Sequence, residues 1–165
     1  MEIELKAAEP DDAAKVLQLL RLLQAESSFF TIENFDALTV DQEADNLEQI
    51  DQTDDNLVLL ALDAGEMIGI ATVSKLDGKP TGEIGIAILK RYYHQGLGTA
   101  LLDELIYWGD HFSPLRQFTL SVIADNTPAV GLYRKMGFKP KQVETVKDGQ
   151  GTERKSFMMT LDLDH

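Results

Sequence analysis

Hydrophobic and polar positions change period several times along this 165-residue chain, and each change predicts an element. Glu2 to Ala7 reads as a short strand, closed by a turn at Glu9-Pro10-Asp11-Asp12. Val16, Leu19, Leu20 and Leu23 then recur at i, i+3, i+4 and i+7, the stripe of an amphipathic helix. Acids near its start suit the positive end of the helix dipole. Residues 26–40 show no period and read as irregular, and a second, acidic helix is predicted over about 41–50. From Asn56 the pattern becomes that of strands. Leu57–Leu62 and Met67–Leu76 flank the tight turn Asp63-Ala64-Gly65-Glu66. Gly82–Lys90 sets Ile84, Ile86 and Ile88 on one face against Glu83, Gly85 and Ala87 on the other.

The remainder alternates helix and strand. A helix from Gly96 to His111 carries Leu97, Leu101, Leu105, Trp108 and Phe112 on one side. Gln117–Ile123 is a predicted strand and Pro128–Met136 a short helix. Pro128 suits the first helical position, and Gly137 the residue just past the end. Phe138–Val146 and Ser156–Leu163 follow as strands about the turn Asp148-Gly149-Gln150-Gly151. The order β-α-α-β-β-β-α-β-α-β-β puts antiparallel hairpins on either side of one β-α-β unit. A single domain spanning residues 1–165 is expected, an α/β (α+β) fold with a mixed, mostly antiparallel sheet and helices on its faces.

Composition narrows the class. Hydrophobic residues make up 44% and charged residues 26%, as in an ordinary globular domain. The opening MEIELK carries acids where a secretory leader would carry bases, and Leu57–Leu62 is too short to span a bilayer, so a cytoplasmic protein without a membrane partner is expected. With no cysteine, and with His94, His111 and His165 scattered, no metal site is expected. The net charge of −13 argues against nucleic acid. That charge is uneven: residues 1–55 hold 15 acids and 3 bases, whereas the rest is nearly balanced. The C-terminal two-thirds can therefore host an anionic cofactor.

Candidate chemistry concentrates in Tyr92-Tyr93-His94-Gln95-Gly96-Leu97-Gly98-Thr99, between a predicted strand and a helix. Glycines at a helix N-terminus expose consecutive N–H groups and let an anion approach the main chain. A Walker loop would need a Gly-Lys-Ser/Thr ending, which is absent. A Rossmann fingerprint would need glycine or alanine where Leu101 stands. Neither nucleotide motif fits.

With Thr99-Ala100-Leu101-Leu102 opening the helix, this block resembles the Arg/Gln-x-x-Gly-x-Gly/Ala signature of the GNAT superfamily of N-acetyltransferases. Asn126-Thr127-Pro128-Ala129-Val130-Gly131-Leu132-Tyr133-Arg134-Lys135-Met136-Gly137-Phe138 is similar to a second block of that family, Asn-x-x-Ala-x-x-Leu-Tyr-x-Lys-x-Gly-Phe. The opening Ala-x-Pro-Asp-Asp-Ala helix is similar as well, so the resemblance covers nearly the whole chain. One position departs: Tyr93 stands where the family usually has Arg or Gln, leaving Arg91, His94 or Gln95 to replace the lost group.

The resemblance implies about seven strands, about four helices and acetyl-CoA as co-substrate. In that frame the main chain around Ile88 pairs with the pantetheine amides. The loop Tyr93, His94, Gln95, Gly96, Leu97, Gly98 and Thr99 cradles the pyrophosphate. Asn126 bonds the pantetheine arm, Tyr133 lies beside the sulfur, and Lys135 completes the cofactor set. The plain alternatives are a helix cap for Asn126 and core packing for Tyr133, beside Ala129 and Met136.

The implied reaction moves an acetyl group to a primary amine by direct attack on the thioester. An alkylamine with a pKa near 10.4 is unprotonated in only about 1 molecule in 2,500 at pH 7, a barrier of ~4.6 kcal/mol. A general base, direct or through water, is worth ~10²–10⁴ in rate. Glu83, with small Gly85 and Ala87 on the same face, is the candidate; its alternative is an exposed carboxylate on a sheet edge. Tyr133 is the candidate proton donor to the leaving sulfur, and an N–H near Ile88 the oxyanion donor. The acceptor is a small-molecule or peptide amine, and residues 22–74, with 12 acids and no Lys or Arg, suit a cationic one; the alternative for this stretch is a solvated acidic helix that serves solubility. Two other readings stay open, a protein or peptide N-acetyltransferase and a non-catalytic acyl-CoA sensor, and so does a homodimer.

Overall fold

The computed structural model describes residues 2–26 and 37–164. Most of the stretch expected to be irregular, with Glu33 and Asp36, lies outside them, as does His165. The elements are β1 (Ile3–Ala7), α1 (Ala13–Glu26), α2 (Val40–Asp51), β2 (Leu57–Asp63), β3 (Glu66–Lys75) and β4 (Thr81–Ile88). Then come α3 (Leu97–Phe112), β5 (Gln117–Ile123), α4 (Thr127–Lys135), β6 (Lys139–Lys147) and β7 (Glu153–Asp162). Local signals account for most boundaries. Thr39 and Gln42 form a capping box on α2. Ala64 and Gly65, at φ 48° and 87°, make the two-residue turn between β2 and β3. Gly137 ends α4 at φ 103°.

All seven strands join one sheet in the order β1-β2-β3-β4-β5-β7-β6. Every pairing is antiparallel except β4 with β5, the β-α-β unit that the element order predicts. α3 packs on the face carrying Val73, Gly82 and Phe118. A Cβ on Gly109 would stand 2.6 Å from the Phe118 ring, so glycine lets the helix come close. On the opposite face Leu60 and Ile70 are buried where α1 and α2 lie over β1–β3, and Lys6 there bonds Asp12. Beyond them that face is open: Ser74, Glu83, Gly85 and Ser121 are exposed.

One predicted core position fails. Phe112 is 64% exposed and packs its ring 5.9 Å from Tyr107. It is in phase with the buried side of α3 but is the last helical residue. The chain turns at Ser113, and Leu115 enters the core instead. None of the described helices is long and apolar enough to cross a membrane.

Candidate active site

Strand β4 pairs with β5 only over Thr81–Glu83, opposite Gln117–Thr119. Past that point β4 continues to Ile88 on β3 alone, while β5 continues to Ile123 on β7. The two central strands therefore part, and the β5-facing side of Ile84–Ile88 has no strand partner among the described residues. Glu83 sits where they part, opposite Ser74 and Thr119, exposed. It is thus on a central strand, which corrects the sheet-edge alternative.

At the open end, β4 leads through a 3₁₀ turn, Lys90–Tyr92, into the glycine block. His94 takes φ 62° and Gly96 φ 81°. Two left-handed residues thus flank Gln95. The consecutive N–H groups from His94 to Thr99 donate to no acceptor among the described residues; the next, of Ala100, bonds Gly96 O at 3.0 Å. Main-chain donors left open in series at a helix N-terminus suit a multiply charged anion.

The glycines of the block do different work. Gly96 has open space at its Cβ position and is needed for its positive φ. Gly98 is closely packed: a Cβ there would lie 2.9 Å from Leu132 Cδ2, the movable tip of a side chain, and 3.9 Å from Ile88 Cδ1. At one point the end of β4, the start of α3 and the middle of α4 meet.

The side chains of the loop divide. Arg91 ion-pairs with Glu66 and lies over the Tyr92 ring, and Tyr92 donates to Asp63 at 2.7 Å, all at the β2–β3 end. Gln95 donates its amide to Arg91 O at 3.1 Å. Both are committed away from the open donors, so neither replaces the missing Arg or Gln. Tyr93 is partly exposed, its hydroxyl raised chiefly by burial and then by Glu26, with His94 edge-on at 6.3 Å. Glu26, at the end of α1, also accepts the Lys90 N–H at 2.9 Å, a tie to this loop that no sequence pattern signals.

On α4, Asn126 occupies the N-cap position but its side chain makes no capping bond. The cap reading therefore fails, and the amide has no partner among the described residues. The Tyr133 ring is buried, 7% exposed, edge-on to Phe138 at 5.7 Å. Its hydroxyl has no partner among the described residues, yet no buried side-chain polar atom is left unsatisfied, so the oxygen reaches the surface. Packing and an available hydroxyl coexist in one residue. Burial pushes that hydroxyl up to about 12. Lys135 is exposed in the last turn of α4.

A mixed seven-stranded sheet thus parts beside an open row of helix-start donors. The acetyltransferase (GNAT) family model matches residues 19–138, and the chain belongs to that family. It is similar to the L-amino acid N-acetyltransferase AaaT of Escherichia coli strain K12, 29% identical over 85 residues, 49% of this chain and 52% of that protein. It is also similar to the N-alpha-acetyltransferase of Sulfurisphaera tokodaii, 37% identical over 60 residues, 36% of each. The chain thus matches about half the length of the first relative and less of the second. In three dimensions it resembles the GNAT-family acetyltransferase from Streptococcus pneumoniae, with a TM-score of 0.91 and 30% identity over 98% of this chain and 100% of that one. The fold is also that of yncA from Salmonella typhimurium, solved with its cofactor acetyl-CoA, at a TM-score of 0.82 and 20% identity over 99% and 95%.

Proposed function

We propose that this protein is an acetyl-CoA-dependent N-acetyltransferase whose acceptor is a cationic amine. The observation that carries the first half is the row of uncommitted N–H groups from His94 to Thr99 beside the unpaired edge of β4. The residues present fit the cofactor. The row would take the pyrophosphate, the main chain at Ile88 the pantetheine amides, Asn126 the same arm, and Lys135 a phosphate. When bound, acetyl-CoA supplies the activated acetyl thioester.

The chain's own residues supply the proton chemistry. Glu83 takes the ammonium proton of the acceptor, directly or through a bridging water. Tyr133 keeps its proton at every physiological pH. Giving it up to a thiolate with an ordinary value near 8.5 would cost ~5 kcal/mol. Tyr133 therefore acts as a standing hydrogen-bond donor at the sulfur rather than as a full acid.

The acceptor reading rests on charge. No Lys or Arg occurs between Arg21 and Lys75, so the only charged side chains of α2 are carboxylates. Glu83 is exposed on the open face, and Lys6, on the same side, is bonded to Asp12. A negative surface concentrates cations and speeds their encounter, an effect that fades with salt. The test is thiol release from acetyl-CoA against polyamines, monoamines, amino acids and peptides with a free α-amine, at low and high ionic strength. Higher kcat/KM for polycations, falling with salt, is expected. Equal, salt-independent values would sink the cationic acceptor, and no thiol release with any amine would sink the activity.

A further inference from the structure

The tip of the β6–β7 hairpin is built around one carboxylate. Asp148 is buried, and its Oδ1 accepts the N–H groups of Gln150 at 2.9 Å and Thr152 at 3.0 Å. Its Oδ2 accepts Nε of Arg154 at 3.0 Å. The turn closes through Asp148 N–H to Thr152 O at 2.9 Å and Gly151 N–H to Asp148 O at 3.0 Å. These bonds, that of Gln150 first, hold the Asp148 carboxyl below the usual carboxylate range. A planar guanidinium anchored at Nε has the direction of its remaining arm set. That arm leaves the hairpin: Arg154 Nη1 donates to Asp125 Oδ2 at 3.1 Å.

Asp125 precedes Asn126. The corner between β5 and α4 is also held by Ala124 N–H to Lys155 O at 2.9 Å and Asn126 N–H to Ile123 O at 2.9 Å. Just below it, Ser156 Oγ donates to Val122 O at 3.1 Å. The main chain of the corner is thus fixed from β7, while the amide of Asn126 has no partner among the described residues. We propose that Arg154 is a positioning residue for the cofactor, holding the corner through Asp125 so that Asn126 faces the pantetheine arm. The proposal rests on the assignment of Asn126 to that arm. An ion pair as exposed as this adds little to stability, whereas displacement of a positioned group by about 1 Å is enough to weaken function strongly. The pair should therefore be read in cofactor binding, not in the fold.

The experiment is steady-state kinetics with acetyl-CoA varied, on the whole chain carrying Asp125→Asn, Arg154→Ala, Arg154→Lys, Asn126→Ala, or Asp125→Asn with Asn126→Ala. Asp125→Asn leaves the Asp148 turn intact and keeps the proposal testable should Arg154→Ala fail to fold. It should raise the KM for acetyl-CoA about five- to tenfold with kcat at saturation within about twofold. It should add nothing once Asn126 is alanine. Arg154→Lys, which keeps the charge without the two-armed geometry, should behave as Arg154→Ala. An unchanged KM in Asp125→Asn, or additive effects in the double variant, would overturn the proposal alone. An unchanged KM in Asn126→Ala would remove the assignment of Asn126 and the proposal with it.

Discussion

Gly98 and Leu132 meet where α3 begins and α4 passes it, so closely that a Cβ on residue 98 would stand 2.9 Å from Leu132 Cδ2. The two blocks that carry the family resemblance thus pack against each other, the second glycine of the first block against a leucine of the second.

A methyl at position 98 can be met by a shift of the leucine tip, but a branched side chain cannot. Gly98→Val is expected to cost about 1–3 kcal/mol of stability by overpacking. Leu132→Ala in that background should recover part of it, a non-additivity that urea denaturation of the four variants measures. Additive energies would show that residues 98 and 132 do not press on each other.

Tyr133 offers two readouts. Tyr133→Phe removes the hydroxyl and keeps the packing, so kcat should fall at least about tenfold while the KM for acetyl-CoA holds within about twofold. A fall in kcat below about threefold would leave Tyr133 a packing residue.

Stability against pH gives the second readout. The phenol is raised from an ordinary value of 10.0 to about 12 in the folded chain. A folded value above the unfolded one means stability present in full below pH 10 and lost as pH rises to 12. The loss reaches about 2.7 kcal/mol for two units. Unfolding free energies of wild type and Tyr133→Phe should differ by a constant below pH 10 and change relative to each other above it. A constant difference to pH 12 would contradict the desolvated hydroxyl.

Glu83→Gln tests the base. Rate should drop about 10²-fold near neutrality and recover as pH approaches the pKa of the amine, where the acceptor deprotonates unaided. A pH profile parallel to that of wild type would remove Glu83 from the mechanism.

Gly131 is a control on the same helix. It lies inside α4 with nothing within 4 Å of its Cβ position, at an ordinary φ. Gly131→Ala should stabilise the chain by about 0.5–1 kcal/mol, because alanine fixes a helical backbone at lower entropic cost. Thermal melts and unchanged kinetics are the measurements, and a destabilised variant would mean that this face of α4 is covered.

Much of this was legible in the linear order of residues. The period-2 run at Ile84, Ile86 and Ile88 marks β4, and Pro128 and Gly137 mark helix ends, because pleat, cap and turn chemistry act over a few neighbouring residues. The row of donors from His94 to Thr99 belongs to the same local class: glycines before an amphipathic helix expose them whatever lies beyond. Phe112 shows the limit, since its place in the helical period says nothing of where the helix leaves the core.

By itself, then, the sequence determined the elements, their order and the two blocks that mark the family. The parting of β4 from β5 after Glu83 and Thr119 was decided by tertiary structure, because strand pairing answers to packing across the whole sheet. So were the commitment of Arg91 to Glu66, the freedom of the Asn126 amide and the reach of Arg154 to Asp125. Each of these depends on residues far apart along the chain, and no periodicity within a segment carries information about a contact made or missed with residues encoded elsewhere.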